Sequence, residues 1–571
     1  MSIIRFKEAN CKNCYKCLRS CQVKSIAFKN EQAEILENEC ILCGHCFLVC
    51  PQNAKYVDSD LGKVKGYIGR GERVYVSVAP SYASYFGGVR FGKIAGALRR
   101  LGVAQAEETA IGAARVSQEY RRLMREGTMK NIITTACPTA VLLVEKYYPD
   151  LIPYLAPCVS PMAAHAKMMR SAYGMNIKIV FAGPCISKKY EAANDLAGRS
   201  GVDSVLLFED LEQWFAEENI DLAAADESGP EPMETQGRLY PLPGGILQAT
   251  GGSEKAYAHI FVDGVDRCRE TLDSLRNNEV SGYFIEMSAC PGSCLGGPGI
   301  LSRKTTSLLA QNQVREAAKG RNAASGKLRS EQAETDLNRF YLDRSQTKAL
   351  PTEKEIEEVL QKMGKALPEK QLNCGSCGYA SCRDKAIAVC RGKADIRMCL
   401  PHMREKAESI SNVVIDHTPN GIFLLDEDFR IVECNSAAKR IFGIKADLGG
   451  EPVSGLFDCR VLERVKDTGG VIGDEEYYPE MDLYLEQTAV YIEEHSMYLL
   501  IVKDITNEMQ RQNQLAVMQE ETVEIAQKVI DKQMRVAQEI ASLLGETTAE
   551  TKLALTRLKK SILSGTHGGG Q

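Results

Sequence analysis

The sequence predicts a multidomain chain of α/β and α+β modules, and three observations predict it. The chain has 571 residues, more than a single hydrophobic core usually serves. Many of its 21 cysteines fall at fixed spacings near residues 11–50 and 374–399, with isolated ones in three short motifs between. The last third changes first to short paired apolar runs and then to a proline-free stretch with a seven-residue apolar period. The expected boundaries are 1–60, 70–350, 351–404, 405–508 and 509–563, with a flexible tail at 564–571.

Composition excludes several classes. The chain is 44% hydrophobic and 25% charged, with a formal net charge of −5 and a mean hydropathy of −0.22. Lys and Arg are interspersed with Asp and Glu, so no concentrated basic face is offered to phosphates and no nucleic-acid partner is expected. No apolar run reaches the ~18–20 residues that span a bilayer, and the first residues lack the apolar core of a signal peptide. The expectation is therefore a cytoplasmic protein with no membrane partner, whose cysteines serve as reduced metal ligands rather than disulfides.

The first module repeats one spacing. Cys11, Cys14, Cys17 and Cys21 are followed by Cys40, Cys43, Cys46 and Cys50-Pro51. Three cysteines at three-residue steps wrap one cubane, and the displaced fourth reaches the other. Cys11, Cys14, Cys17 and Cys50 are thus assigned to one [4Fe–4S] cluster, and Cys40, Cys43, Cys46 and Cys21 to a second. Paired structural zinc sites are the alternative, but zinc favours cysteines in two pairs. The segment resembles bacterial two-cluster ferredoxins, except that Gln22 stands where the first repeat would carry proline.

A third set, Cys374, Cys377, Cys382 and Cys399, closes over a mostly helix-forming spacer from Arg383 to Met398. It resembles the small [4Fe–4S] domain of corrinoid proteins and electron-transfer subunits; zinc is the alternative. Cys390, within the spacer, reads as a packing residue.

The central segment carries Thr135-Ala136-Cys137-Pro138, then Pro184-Cys185-Ile186-Ser187-Lys188-Lys189-Tyr190-Glu191, then Glu286 to Gly299 with Cys290 and Cys294. Four cysteines from three distant segments could close a buried cubane. Spacing of four would put Cys290 and Cys294 on one face of a helical turn. Glycines at 292, 296, 297 and 299 would let backbone approach a bulky group.

These motifs, behind a ferredoxin module, resemble the signatures of the [FeFe]-hydrogenase catalytic domain. The resemblance implies an H-cluster, in which a [4Fe–4S] cubane is joined to a diiron unit carrying CO, cyanide and azadithiolate. It implies that Cys137, Cys185, Cys290 and Cys294 hold the cubane, with Cys294 bridging to the diiron unit. It implies that Lys188 donates to one cyanide and that Ala79-Pro80-Ser81 forms the first cofactor-facing loop, with the Ser81 hydroxyl on the other. Gly296 and Gly297 would line the cofactor, and Glu191 keeps the acidic position of the second motif.

Departures from the family pattern carry as much weight. High-turnover members have two adjacent cysteines in the first motif, the first of which moves protons; here that place is Ala136, and a methyl group relays none. Val141 replaces an aromatic residue, Gly183 replaces a methionine, and Pro298 interrupts the glycine run. A missing acid–base group typically costs ~10²–10⁴ in rate, so slow turnover is expected.

In the C-terminal third, Gly421 to Val432 reads as two strands around an acidic turn, and Asn435-Ser436-Ala437-Ala438 opens a helix. The pattern resembles a PAS domain whose last strand exits through Asp504-Ile505-Thr506 into a signalling helix. His417, Cys434 and Cys459 read as ordinary packed or exposed residues, with no haem or flavin assigned. Leu515, Thr522, Val529, Val536 and Leu543 recur every seven residues, with Ala526 and Ile540 in a second seam beside Gln519 and Gln533. A homodimer through the PAS domain and this helix is expected. The helix carries no histidine, and His567 lies in the glycine-rich tail.

The resemblance therefore implies a sensory [FeFe]-hydrogenase that slowly and reversibly cleaves or forms H2, exchanging protons and electrons with a redox partner such as ferredoxin. It would need hydrogenase maturation proteins and would report to a cytoplasmic kinase, phosphatase or regulator. Two alternatives stay open: a hydrogenase-like Fe–S redox regulator or assembly factor without the diiron unit, and a conventional ferredoxin-linked H2-evolving enzyme. Cys158, Cys268, Cys390, Cys434 and Cys459 are left as packing residues.

Overall fold

A computed structural model describes the chain apart from residues 1–2, 8–9, 30–31, 195–200, 228–235, 252–255, 301–304, 320–328, 334, 347–348, 446–447, 457, 469–471, 545–547 and 565–571. Nearly all of the expected tail, with His567, lies outside the described residues. The chain divides into two compact units, Met1–His402 and Met403–Gln571.

In the first unit the cysteine repeat folds as a repeat. Strand Ile4–Phe6 pairs antiparallel with Lys55–Val57, and Ile26–Lys29 forms a hairpin with Gln32–Ile35. Each three-cysteine loop ends in a one-turn helix, Lys16–Arg19 or His45–Leu48, entered through a left-handed residue, Tyr15 or Gly44. At Gly44 a side chain is excluded twice over. Its φ is +73°, and an added Cβ would stand 2.7 Å from Ile186 and 2.8 Å from Pro298, so glycine is what lets this loop seat against the central segment.

The central segment holds two parallel sheets. One has the order Gln105–Glu108, Val74–Val78, Lys178–Gly183, Ser204–Leu207. The other has the order Ala258–Asp263, Tyr283–Ser288, Ile132–Ile133. Strand Val74–Val78 is buried throughout, as a central strand covered by helices on both faces requires. Helices Phe91–Arg100 and Pro161–Tyr173 turn apolar faces to that sheet, while Ala110–Glu126 packs Val116, Tyr120 and Leu123 with Ile132 and Phe284 of the other.

In the third cysteine set Cys382 opens helix Cys382–Cys390, which packs on helix Glu353–Lys362 with its Thr352/Glu355 capping box; Cys374 and Cys377 lie in the preceding loop and Cys399 follows the 3-10 turn Ile396–Met398. This small module docks on the ferredoxin-like repeat. Phe28 donates its amide to the Lys393 carbonyl at 2.9 Å, Arg19 donates to the Ser376 carbonyl at 3.1 Å, and Lys393 pairs with Glu39. Cys390 donates to the Glu355 carbonyl, in keeping with a packing role.

The second unit contains a five-stranded antiparallel sheet ordered Ile431–Cys434, Gly421–Leu425, Met497–Asp504, Leu483–Ile492, Ile472–Tyr478. The Asp426 carboxylate accepts the amides of Asp428 and Arg430 and so shapes the acidic turn. Asn435 caps helix Ser436–Ile441. Phe423, Leu425, Leu485, Leu500 and Val502 form the core, with Cys434 and Cys459 half-buried at its margin. Helices Thr506–Leu544 and Thr548–Ser564 follow.

A candidate cluster chamber at the ends of two sheets

All four site segments leave the C-terminal ends of parallel strands, where open α/β sheets place their ligands. Ala79-Pro80-Ser81 follows Val74–Val78, and Cys185 follows Lys178–Gly183, both in the four-stranded sheet. Cys137 follows Ile132–Ile133 and Cys290 follows Tyr283–Ser288 in the other. The chamber is therefore assembled from both sheets.

The cysteines of this set lie near enough to one another to interact electrostatically. Burial pushes the Cys137, Cys290 and Cys294 thiols up, Cys294 to about 12, and in each case the neighbouring cysteines of the set push further. Cys290 also senses Cys43 of the ferredoxin-like repeat. Thiols raised in this way stay protonated unless a cationic centre takes them as thiolates. Among the described residues no three His, Cys, Asp or Glu side chains are set as ligands to one metal ion; the thiolates of a cubane go to four separate irons.

Local structure explains each placement. Cys137 precedes Pro138 at the first turn of helix Pro138–Tyr147, where free amides favour a negative sulfur. Its approach is fixed by Thr135, whose amide donates to Tyr120 Oη at 2.9 Å and whose hydroxyl donates to the Cys158 carbonyl at 3.0 Å. Cys185 Sγ lies 3.1 Å from Ser187 Oγ. The helical-turn expectation for Cys290 and Cys294 is not met. Cys290 lies in a bend, and Gly292 and Ser293, both left-handed, turn the chain into a 3-10 segment Ser293–Gly296 that carries Cys294. Gly296 is packed against the Pro291 carbonyl with no space for a Cβ, whereas a Cβ at Gly297 would stand 3.9 Å from Cys290 Sγ.

Lys188 is buried and donates to Glu191 Oε2 at 2.7 Å, Ser160 Oγ at 2.9 Å and the Ala136 carbonyl at 3.3 Å. All three N–H donors of the ammonium are thus engaged, the longest contact falling on Ala136, the residue just before Cys137. Glu191 also accepts from Arg339 at 3.0 Å. Burial alone would raise its pKa, but Lys188, Arg339 and Ser160 outweigh that and hold it below the usual range. Gly183 has no room for a side chain, with Phe181 2.6 Å from a built Cβ, and Val141 is part of the core.

Ser81 is buried with no hydrogen-bond partner for its hydroxyl among the described residues, as is Ser293. Orphaned hydroxyls beside converging cysteines fit a polar, many-atom group that completes them. The residues present therefore fit an iron–sulfur centre with a further polar unit.

Sequence reasoning missed Ser160 and Arg339, which come from segments without a spacing signal. It also missed Lys385, a buried lysine whose ammonium senses Cys377, Cys399 and Cys382 and donates to the Ile396 carbonyl. Glu286 was visible in the third motif but had no role. Its carboxyl accepts the Leu247 amide, and burial raises its pKa to about 7 against the amides of residues 244–247.

Comparison with known proteins agrees with this architecture. Residues 72–298 match the family model of the iron-only hydrogenase large subunit, C-terminal domain. Residues 3–51 match a 4Fe-4S dicluster domain, 367–401 an Fe-S cluster domain, and 410–475 a PAS domain. The periplasmic [Fe] hydrogenase large subunit of Nitratidesulfovibrio vulgaris is 26% identical over 325 residues, covering 46% of this chain and 77% of that one. Iron hydrogenase 1 of Clostridium pasteurianum is 26% identical over 301 residues, covering 42% and 52%. The [FeFe]-hydrogenase HydA1 of Chlamydomonas reinhardtii superposes with a TM-score of 0.41 at 20% identity, over 51% of this chain and all of that one. The chain thus joins an iron-only hydrogenase domain to a dicluster domain, an Fe-S domain and a PAS domain. No described helix is long and apolar enough to cross a membrane.

Proposed function

We propose that this chain, an iron-only hydrogenase domain coupled to a PAS domain, is a sensory [FeFe]-hydrogenase. One observation carries the reading: the Lys188 ammonium is buried among the cysteines with Glu191 and Arg339 behind it, and the residue it touches where a proton-moving thiol would stand is Ala136. The site keeps its means of holding a negative group while lacking a group that hands on protons.

On this reading Cys137, Cys185, Cys290 and Cys294 would hold an H-cluster, with Cys294 the thiolate that would also serve its diiron unit. When bound, that group supplies reversible splitting of H2 and takes up electrons. Lys188 exchanges its longest hydrogen bond, to the Ala136 carbonyl, for one to the group and offsets its charge. Ser81 completes its hydroxyl on the same group from the Ala79-Pro80 loop. Ala136 moves no proton, so turnover is slow and a bound state persists long enough to be read.

Electrons have a supported path outward. Cys290 senses Cys43, and Lys24 and Tyr379 each sense both Cys21 and Cys377. The cluster on Cys40, Cys43, Cys46 and Cys21 would therefore stand between the chamber and the cluster on Cys374, Cys377, Cys382 and Cys399. The Cys11, Cys14, Cys17 and Cys50 cluster would serve a redox partner such as ferredoxin. The PAS domain and its helices then report, as a cytoplasmic homodimer, to a kinase, phosphatase or regulator.

A second reading, a redox regulator without the diiron unit, is favoured by the full engagement of Lys188 inside the protein. Infrared spectroscopy of protein made with the hydrogenase maturation proteins separates the two. CO and cyanide bands with slow H2 turnover are expected. Their absence sinks the hydrogenase reading, and fast turnover sinks the sensory one.

A further inference from the structure

Lys385 lies one turn after Cys382 on helix Cys382–Cys390 and is 1% exposed, the most deeply buried lysine among the described residues. Its ammonium donates to the Ile396 carbonyl at 3.2 Å and forms no ion pair among the described residues. A cation with three N–H donors is thus held by a single backbone oxygen. Asp395, the carboxylate it senses, is taken by Arg397 instead. Burying a charge in this way is costly unless an opposite charge accompanies it. Lys188 and Arg238, buried nearly as deeply, each have one, in Glu191 and Glu108.

The surroundings of Lys385 name the counter-charge. Burial presses the ammonium down, and what opposes this is Cys377 first, then Cys399, Asp395 and Cys382. Three of the four cysteines of the third set thus lie near enough to act on it. The Ile396 carbonyl that takes the ammonium also takes the Cys399 amide at 3.0 Å, so one oxygen ties Lys385 to the last of those cysteines. The Asn373 side chain accepts the Cys382 amide at 2.8 Å and ties the start of the same helix to the loop of Cys374. A second orphaned group stands beside them. Tyr379 is 6% exposed and its hydroxyl has no partner among the described residues; burial raises its pKa, and Cys377 adds to the rise. A cubane on four thiolates is a negative group with many acceptors, which fits both.

We infer that the Lys385 ammonium is the counter-charge of a [4Fe–4S] cluster on Cys374, Cys377, Cys382 and Cys399, and that it raises the reduction potential of that cluster. The inference rests on the part of the proposed function that puts a cluster on this set, and not on the chemistry of the chamber. In the reduction step one electron passes to this cluster from a neighbouring [4Fe–4S] cluster, which is oxidised; no bond forms or breaks and no proton moves. The acceptor gains a negative charge while the ammonium stays in place, so the reduced form is stabilised more than the oxidised one. Salt screens a buried pair of this kind only weakly. Lys385 thereby favours residence of the electron on the last cysteine set before the second unit, which begins at Met403.

The test is a redox titration of the full-length, iron-loaded protein followed by electron paramagnetic resonance, with the third cluster's signal identified as the one missing from Cys399→Ser. In Lys385→Met the ratio of reduced to oxidised cluster at a fixed potential should fall at least about tenfold, a shift of about 59 mV for a one-electron couple. Lys385→Arg keeps the charge and should hold the wild-type midpoint. Lys354→Met removes an exposed lysine of the same module and should shift nothing, since solvent screens its charge. Iron content should be equal in all three variants. Metal-free Lys385→Met should be at least as stable as wild type, because it loses a buried charge that has no partner there. An unchanged midpoint in Lys385→Met with iron retained overturns the inference, as does zinc in place of iron on this set. Loss of the cluster from both Lys385→Met and Lys385→Gln overturns it too, by making the side chain a prop for the Cys399 turn. Infrared bands of the chamber are expected to be the same in every variant, so failure of the hydrogenase reading shows there and not in this midpoint.

Discussion

Two buried charged networks lie in the iron-only hydrogenase domain, and their difference is instructive. Lys188, Glu191, Ser160 and Arg339 form one, beside the cysteines. The other is built on strand Gln105–Glu108. Glu107 takes His165 Nε2 at 3.1 Å, the Ser330 hydroxyl at 2.5 Å and the Tyr173 hydroxyl at 2.6 Å, while Glu108 pairs twice with Arg238. Both satisfy buried charge. The second ties together segments far apart in sequence, reaching Ser77 through His165 Nδ1 at 2.8 Å and the Ala317 carbonyl through Arg238 at 2.7 Å. The first ends on a backbone carbonyl at 3.3 Å, a contact a bound group can replace. Similar residues thus serve holding in one place and binding in the other, and what decides is whether the weakest contact faces protein or the chamber.

The comparison breaks most sharply at Lys188. Lys188→Met should cut H2 turnover by about 10²–10³, as loss of a preorganised electrostatic donor does, with weakened or altered cyanide bands. The thermal midpoint should fall less than in the next variant, since Glu191 keeps Arg339 and Ser160. Arg238→Met should do the reverse. Leaving Glu108 charged and buried costs about 3–5 kcal/mol in denaturant unfolding, while iron content per folded molecule stays constant. Equal effects of the two variants on turnover would erase the distinction.

The second network should also set the acid limit. Burial tends to raise the pKa of Glu107, but His165, Ser330 and Tyr173 outweigh it and hold the carboxyl below its ordinary value. A depressed folded pKa gives stability that is fully present above the unfolded value of about 4.3 and is lost as pH falls through the folded one. Glu107→Gln should flatten that acid limb in equilibrium unfolding of the metal-free protein and leave its alkaline side unaltered. The smallest effect is expected at Ser81. Ser81→Ala removes a hydroxyl that has no partner among the described residues, so the metal-free protein should be as stable or slightly more so, and the loaded protein should lose about 0.5–1.5 kcal/mol of binding. Equal loss in both forms would show that the hydroxyl serves the fold.

Legibility in the sequence followed the range of the signal. Cysteine spacing is local and made the dicluster repeat plain, as alternation and an Asn cap did for the PAS sheet. Ser81 was reachable because it follows a buried strand directly. Ser160 and Arg339 were not, since what makes them part of the site is a meeting of the Pro161–Tyr173 helix cap and a late loop with Glu191, and no periodicity records that. The turn at Cys290 was misread because a spacing of four suggests an α-helix, while two successive left-handed residues, Gly292 and Ser293, forbid one. In the last long helix, Met518 and Ile525 stand exposed beside Leu515 and Val529. They offer a more apolar second row than Ala526 and Ile540 did, a choice between adjacent helix faces that period seven alone leaves open.

The division of the chamber between two sheets has a mechanical consequence. Cys185 belongs to one sheet's loops, and Cys137, Cys290 and Cys294 to the other's. Any group ligated by all four acts as a rivet through two plates. Loading then amounts to cross-linking, so resistance to proteolysis and shear should climb in one step when the rivet is set, and a chain caught before that step is the one a quality-control protease would recognise.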